Sequence, residues 1–182
     1  LGCEVPWVFE RLLAGHSGVS SINRFDTAGY ETTFGGEIAD WQGGRHLERR
    51  DLKRLDRFAQ FALSSACDAV EDAGLDFSRE DPFRCGSIVG SGIGGIEEFE
   101  AGHAKMIAKG PDRVSPFMVP KLMVNAASGN ISIHFGIQGP NSAVATACAS
   151  AAHAIGEAGH CIMLGEADVM ITGGSEAALT PL

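Results

Sequence analysis

The chain has 182 residues, of which 45% are hydrophobic and 20% are charged. This length and mixed composition predict about one globular domain with a buried core. The formal net charge is −9. We therefore expect no nucleic acid partner, because a phosphate backbone selects for an excess of lysine and arginine.

Two amphipathic helices are predicted in the first half of the chain. The first covers residues 4–15, carries apolar side chains at near-helical spacing and ends at Gly15. The second covers residues 55–74 and ends at Gly74. Its apolar face consists of Leu55, Phe58, Ala62, Ala66, Ala69, Val70 and Ala73.

The second half of the chain predicts β-strands alternating with helices. Short apolar runs at residues 85–92, 141–147 and 167–176 are typical of strands. Residues 119–136 predict another helix that a glycine closes, and residues 106–117, which include two prolines, predict a loop. This order predicts an α/β domain with a largely parallel sheet.

Residues 122–156 contain no Asp, Glu, Lys or Arg. Hydropathy alone would suggest a membrane span there, but polar residues interrupt the stretch repeatedly, so we interpret it as the buried centre of a water-soluble protein. The five cysteines form no CxxC pair, and their odd number favours reduced thiols. We therefore expect a cytoplasmic protein that does not enter a membrane.

Residues 90–95 read GSGIGG and match the GxGxxG pattern after a predicted strand. In a dinucleotide site, such glycines bring the backbone close to a pyrophosphate. The second strand and acidic residue expected about 20 residues further on are absent, so we favour a tight turn that passes close to a neighbouring element. A nicotinamide-dependent oxidoreductase remains an alternative, which an absorbance titration with the cofactor would test.

Cys148 lies where the strand at 141–147 gives way to an alanine-rich helix. Unpaired N–H groups at a helix start stabilise a thiolate and could hold a developing oxyanion, and small neighbours permit an exposed turn. These features favour a nucleophile, but a free cysteine is more commonly a buried structural thiol. The residues alone therefore support the two interpretations of Cys148 about equally. His153 and His160 are poor bases for Cys148, because they lie about 140° around and about 18 Å along the predicted helix, respectively.

Several segments of the chain resemble the beta-ketoacyl-acyl-carrier-protein synthases of type II fatty acid synthesis. These segments are LLAGHSGVS, FDTAGY, GSGIGG, SPFMVP, GPNSAVATACASAAHAIGEA and GEADVMITGGSEAALTPL. The resemblance runs from residue 1 to residue 182 and is most specific around Cys148. It implies a thiolase-like α/β fold, in which two similar halves stack in five layers. Residues 1–182 then correspond to most of the N-terminal half, without its first strand, which is central in the sheet.

The resemblance implies that Cys148 is the nucleophile that carries an acyl chain as a thioester. Malonyl-carrier protein then loses carbon dioxide, and its carbanion attacks the thioester, which lengthens the chain by two carbons. The family uses neither a metal nor an organic cofactor for this reaction. Its catalytic histidines and lysine lie beyond Leu182 in the family pattern, so we expect the isolated chain to be inactive in condensation and to aggregate or fold only partially.

The resemblance also implies a docking surface for acyl carrier protein. Arg50, Lys53 and Arg54 match positions that contact the carrier protein in the family. They form a single basic stripe with Arg57 if residues 49–57 are helical. A solvated helix face paired with the neighbouring aspartates is the alternative interpretation.

Two apolar residues match positions at the acyl pocket of the family. Ile93 matches a position near the bound chain, and its flanking glycines would let it pivot; an ordinary turn residue is the alternative. Met118 matches a position that reaches the pocket from the neighbouring subunit, where a phenylalanine is common. The resemblance therefore implies a homodimer.

Two other protein classes share these motifs. A polyketide ketosynthase has the same cysteine, but HAIGEA and FDTAGY are more similar to the stand-alone fatty acid enzymes. A non-catalytic partner of the chain-length-factor kind typically replaces the cysteine, and Cys148 is intact. We therefore expect an acyl-transferring condensing enzyme of fatty acid synthesis.

Overall fold

A computed structural model describes residues 2–38 and 41–182. The chain divides into two compact units. One unit comprises Leu1–Gln42 with Leu179–Leu182, and the other comprises Gly43–Ala178.

Among its described residues, the smaller unit contains one helix and one strand pair. Helix α1 covers Val5–Leu13, close to the predicted bounds, and has a proline in its first turn. Strands β1 (Val19–Ser21) and β2 (Phe34–Gly36) pair in antiparallel fashion. Backbone and side-chain N–H groups of Asn23 donate to the carboxylate of Glu37 and hold its pKa below the ordinary value.

The larger unit contains a three-stranded parallel sheet. Its strands are β3 (Cys85–Gly90), β4 (Asn141–Val144) and β5 (Val169–Gly174). Their order is β4-β3-β5, and both neighbouring pairs are parallel, as the sequence predicts. Every residue of β3 is buried, because it has a strand on each side and helices packed against it.

Six helices accompany this sheet: α2 (Arg49–Arg54), α3 (Arg57–Asp72), α4 (Ile96–Lys109), α5 (Met118–Leu122), α6 (Ala126–Phe135) and α7 (Ser150–Met163). Helix α7 packs on β3 and β5, whereas α6 packs on β3 and α3. The core between these elements includes Phe58 and Ala154, both 0% exposed, and Ile131, which is 1% exposed. Among the described residues, no helix combines the length and the apolar composition needed to cross a lipid bilayer.

The single helix predicted at residues 119–136 is wrong, because the structure has two helices there. Helix α5 ends at Leu122, and α6 begins at Ala126. In a continuous helix, the Leu122 carbonyl would accept from the amide four residues later, but here it accepts the N–H of Gly95 at 3.1 Å. The predicted end is confirmed, since Gly136 closes α6 in the left-handed conformation, with φ of 70°.

The predicted loop at residues 106–117 is wrong over its first four residues. Residues 106–109 form the last turn of α4, and a 3₁₀ turn follows at Pro111–Arg113. Helix α4 ends where Gly110 adopts a φ of +87°, immediately before a proline that cannot continue the hydrogen-bond ladder.

Candidate functional site

The candidate site lies at the carboxyl edge of the parallel sheet, where ligands commonly bind in α/β folds. Gly90 of β3 lies opposite Val144 of β4 and Gly174 of β5, so all three strands end at one level. A Cβ atom on Gly90 would overlap the backbone of Ser150, and one on Gly174 would overlap the side chain of Ala151. The two glycines therefore allow the first turn of α7 to rest directly on the strand ends.

A sharp elbow joins this edge of the sheet to α7. Ala147 has a φ of +51°, which is unusual for a residue other than glycine and costs about 1 kcal/mol or more. The Ser150 hydroxyl holds the elbow closed, because it accepts the Thr146 N–H at 2.9 Å and donates to the Ala147 carbonyl at 2.7 Å. Backbone strain of this kind concentrates at functional sites.

Cys148 follows the strained residue of this elbow. It is a free, exposed thiol two residues before the first residue of α7. It borders a cleft of about 510 Å³, whose walls also include Ile93 and Glu176. The structure thus brings Cys148 and Ile93, which are 55 positions apart in the sequence, to one cavity.

The other cysteines of the larger unit are less available than Cys148. Burial raises the pKa of the Cys67 thiol to about 11, with a further contribution from Asp68 and Glu71. Burial is also the main cause that raises the pKa values of Cys85 and Cys161. Cys148 is therefore the exposed cysteine of this unit.

The glycine-rich segment at residues 90–95 forms a turn that contacts other backbone closely. Gly94 has a φ of +76°, and a Cβ atom there would lie 2.7 Å from the Leu122 carbonyl oxygen. The chain then continues through α4 and reaches β4 without another described strand. These contacts favour the tight-turn interpretation over a dinucleotide site.

Glu176 is a residue of the cleft that the sequence analysis did not select. Its carboxylate accepts the Gly92 N–H at 2.6 Å and the Ser91 hydroxyl at 3.2 Å. The Ser91 oxygen in turn accepts the Gly94 N–H at 3.0 Å. Its position in the sequence could have indicated it, because a polar residue just beyond the carboxyl end of a parallel strand often lies at a ligand-binding site.

Met118 does not line the cleft of Cys148 within the described chain. It borders a separate apolar cavity of about 150 Å³ together with Phe99, Met106 and Val114. Its expected contribution to a pocket of the neighbouring subunit stays a prediction.

The basic residues near α2 do not share one helix. Arg50, Lys53 and Arg54 are exposed on α2, but the backbone becomes extended at Leu55, and Arg57 begins α3. The predicted continuous stripe through Arg57 is therefore wrong. The physical reason is that α2 ends at Arg54 and a separate helix, α3, begins at Arg57.

Asp56 causes that helix start. Its carboxylate caps α3 through the Phe58 N–H at 3.2 Å and also accepts the Glu98 N–H of α4 at 3.0 Å. Because Asp56 is 5% exposed, it is not a solvated partner of the basic residues on α2. Burial raises its pKa above the ordinary value.

Neither histidine of α7 is among the residues that line the cleft. The Nδ1 atom of His153 lies 2.7 Å from the Thr146 hydroxyl oxygen, and that of His160 lies 3.9 Å from a Glu157 carboxylate oxygen. Both side chains therefore have partners on their own helix or on the elbow.

In the part of the chain that the structure describes, a cluster of potential metal ligands occurs outside the cleft, and the sequence did not predict it. His46, Asp68 and Glu71 place one ligand atom each within 4.8 Å of one another. The Arg45 guanidinium lies 2.7 Å from the Asp68 carboxylate and 2.8 Å from that of Glu71. The single positive charge of Arg45 is thus shared between the two carboxylates of the cluster.

The parallel sheet, the strained elbow and the cysteine at the start of α7 define a thiolase-like α/β protein. The family model for the N-terminal domain of beta-ketoacyl synthases matches residues 4–182, and the chain belongs to this family. The resemblance identified from the sequence motifs is confirmed.

Comparisons with individual proteins agree with this family. The chain is 42% identical, over all 182 residues, to 3-oxoacyl-[acyl-carrier-protein] synthase 2 of Vibrio cholerae, and it spans 44% of that protein's length. It is also similar to the solved ishigamide ketosynthase/chain length factor, with 28% identity, a TM-score of 0.86 and coverage of 95% of this chain and 43% of that one. A type II polyketide synthase ketosynthase, solved with its acyl carrier protein, has 26% identity and a TM-score of 0.72, covering 79% of this chain and 41% of that one.

Proposed function

We propose that this chain is the N-terminal half-domain of a 3-oxoacyl-acyl-carrier-protein synthase in which Cys148 carries the acyl group. The observation that supports it most strongly is the exposed Cys148 on a strained elbow at the cleft edge, in a chain of this family. The 42% identity to a synthase of this name adds further support.

The first step is a thioester exchange at Cys148. The cysteine sulfur, as its thiolate, attacks the carbonyl carbon of an acyl group on carrier protein. The bond from that carbon to the carrier sulfur breaks, and the carrier thiol leaves with the proton that Cys148 gives up. Backbone N–H groups at the start of α7 are suited to stabilise the negative oxygen of the tetrahedral intermediate.

The second step extends the chain by two carbons. Malonyl-carrier protein loses carbon dioxide, and the resulting enolate attacks the thioester carbonyl on Cys148. The bond to the Cys148 sulfur breaks, which releases a 3-oxoacyl-carrier protein and leaves Cys148 as a thiolate, and a proton taken up from water regenerates the thiol. The balance requires no oxidant or reductant, and charge-stabilising groups for the enolate come from the remainder of the full-length protein.

We assign acyl carrier protein as the partner of α2. Arg50, Lys53 and Arg54 are exposed there on a chain with a net charge of −9. Carrier proteins are acidic, so a local basic surface would steer their encounter despite the unfavourable overall charge. The solved polyketide ketosynthase with its own acyl carrier protein supports a partnership of this kind.

Ile93 and Met118 are proposed as acyl-pocket residues of a homodimer. Ile93 is 54% exposed and borders the Cys148 cleft, where its side chain would contact the acyl chain. Met118 would reach the same pocket from the neighbouring subunit.

A polyketide ketosynthase is the second candidate, because two similar solved structures point to it. One is a type II polyketide synthase ketosynthase, and the other is the ishigamide ketosynthase with its chain length factor. The identity to the fatty acid enzyme of Vibrio cholerae is higher, at 42% against 26% and 28%. Product analysis distinguishes the two candidates, since repeated condensation without reduction would favour the polyketide function.

A condensation assay on the full-length protein tests the proposal. With an acyl-carrier protein and malonyl-carrier protein, we expect a 3-oxoacyl product two carbons longer, and none from the Cys148→Ala variant. The chain of residues 1–182 alone should release no carbon dioxide above background. A full-length protein that binds both substrates but forms no product with a lengthened acyl chain would refute the function.

A further inference from the structure

We propose that Glu176 is a positioning residue that sets which acyl chains the cleft accepts, because it holds the turn that carries Ile93. The inference rests on the proposed function of the same cleft. It assigns a specificity role to a carboxylate two residues beyond β5, on a different segment from those that carry Cys148 and Ile93.

Glu176 is bonded to the turn through both of its oxygens. One oxygen accepts the Gly92 N–H at 2.6 Å, and the other accepts the hydroxyl of Ser91 at 3.2 Å. Ser91 is 2% exposed and passes the connection on, because its hydroxyl oxygen accepts the Gly94 N–H at 3.0 Å. The residues on both sides of Ile93 are therefore linked, directly or through Ser91, to one carboxylate.

The far end of the same turn is anchored independently of Glu176. The Gly95 N–H donates to the Leu122 carbonyl at 3.1 Å, and the Asp56 carboxylate accepts the Glu98 N–H at 3.0 Å. The Ser91 N–H also donates to the Val144 carbonyl at 3.1 Å, independently of Glu176. Loss of Glu176 would thus release Gly92 and Ile93 while the end of β3 and α4 stay in place. The Ile93 side chain, 54% exposed into the cleft, would then be free to withdraw.

Glycines make the turn dependent on these hydrogen bonds. Gly92 and Gly94 have no side chain that could pack and fix the backbone, and glycine loses more conformational freedom on ordering than other residues. A hydrogen bond to a carboxylate is about twice as strong as a neutral one. Glu176 is therefore suited to hold Ile93 at a defined depth in the cleft.

The direct test is a double-mutant cycle in the full-length enzyme. In the wild-type background, Ile93→Phe should slow longer acyl groups selectively, which raises the ratio of kcat/KM between short and long acyl-carrier substrates. In the Glu176→Ala background, the effect of Ile93→Phe on that ratio should be smaller by a factor of at least about three, because the larger side chain can move away. Glu176→Gln keeps an oxygen that can accept the Gly92 N–H and should restore most of the effect.

Asp168→Ala is the matched control. Asp168 is also an acidic residue beside β5, but it lies at the opposite end of the strand, where it pairs with Arg84. It should leave the Ile93→Phe effect unchanged. An equal loss of that effect in the Asp168→Ala and Glu176→Ala backgrounds, or full additivity with Glu176→Ala, would overturn the proposal.

Hydrogen exchange separates this inference from the proposed function, because it needs no activity. The amide of Gly92, which donates to Glu176, should exchange at least about tenfold faster in Glu176→Ala than in the wild type, as expected for loss of a hydrogen bond to a charged group. Unchanged exchange would refute the holding role even in an active enzyme. Faster exchange in a protein that forms no thioester would refute the acyl-selecting role together with the proposed function. Loss of Cys148 acylation in Glu176→Gln would identify a base instead, and would also overturn the positioning role.

Discussion

In the folded protein, iodoacetamide should alkylate Cys148 at least about tenfold faster than Cys67 at about pH 8. The comparison is informative because Cys67 is the cysteine with a histidine beside it: its sulfur lies 3.5 Å from Nε2 of His134. A pairing of cysteine and histidine is a common arrangement for an activated nucleophile. Proximity alone would thus favour Cys67, whereas the exposure of Cys148 and the raised pKa of Cys67 favour alkylation at Cys148.

The magnitude follows from the environment of Cys67. Burial, with Asp68 and Glu71, raises its pKa from 9.0 to about 11. This rise in pKa reduces the fraction of Cys67 that is thiolate about a hundredfold at neutral to mildly basic pH. A more basic thiolate is, however, intrinsically more nucleophilic, and the logarithm of its rate rises with the thiol pKa with a slope of about 0.4–0.5. The second effect recovers about tenfold, so ionisation alone leaves Cys67 about tenfold slower than an ordinary thiol. Its 5% exposure slows the reagent further.

Quantitative peptide mass spectrometry of a labelling time course measures these rates. Cys3 is exposed and serves as the internal reference, and labelling in denaturant should bring the five cysteines to similar rates. The rate at Cys67 should rise about tenfold per pH unit from pH 8 to 10, because its thiolate fraction is still far from saturation. Native labelling of Cys67 as fast as that of Cys148 would refute the reasoning and would favour the pair of Cys67 and His134 as the reactive centre.

Three further variants test the docking surface, the core and an ion pair. Charge reversal at Lys53 and Arg54 should raise KM at least about tenfold for carrier-bound substrate but much less for a small thioester analogue, and equal effects would contradict docking at α2. Phe58→Ala should lower the free energy of unfolding by about 3–5 kcal/mol in denaturant titrations, since Phe58 is 0% exposed, and a loss below about 1 kcal/mol would contradict its core position. The hydrogen bond and charge of Arg84 lower the pKa of Asp168 below 3.8, so their pairing stabilises the fold above that value and is lost as pH falls through the lower, folded value. Asp168→Asn should therefore flatten the fall in melting temperature below about pH 4, and an unchanged slope would show that the pair contributes little.

The strands of the larger unit could be predicted from sequence because their signals are local. Apolar runs bounded by glycine or polar turns placed β3, β4 and β5 to within about three residues of their ends. The motif around Cys148 also indicated a strand-to-helix elbow, since alanine and serine are small enough for one. The structure has this elbow, with a left-handed backbone at Ala147 and two hydrogen bonds of the Ser150 hydroxyl that hold it closed.

The errors arose where contacts between distant residues decided the local structure. The helix break after Leu122 depends on the Gly95 N–H, 27 positions earlier in the sequence. The end of α2 depends on Asp56, whose buried carboxylate caps α3 and the first turn of α4 together. Neither contact leaves a periodic signal in the sequence.

Glu176 escaped sequence analysis for a related reason. Its hydrogen-bond partner Gly92 lies 84 positions away, and each of the two residues is the last of a run that the sequence predicts as a separate strand. Only the parallel pairing of β3 with β5 brings them to the same edge of the sheet.

Thioester mapping on the full-length protein tests most directly whether Cys148 receives the acyl group. After incubation with an acyl-carrier protein, peptides are analysed by mass spectrometry at a pH that preserves thioesters, with Cys148→Ala as the control. We predict an acyl adduct on Cys148 alone among the five cysteines, and no adduct in the variant. An adduct on another cysteine, or acylation that survives Cys148→Ala, would contradict the assignment of Cys148 as the nucleophile.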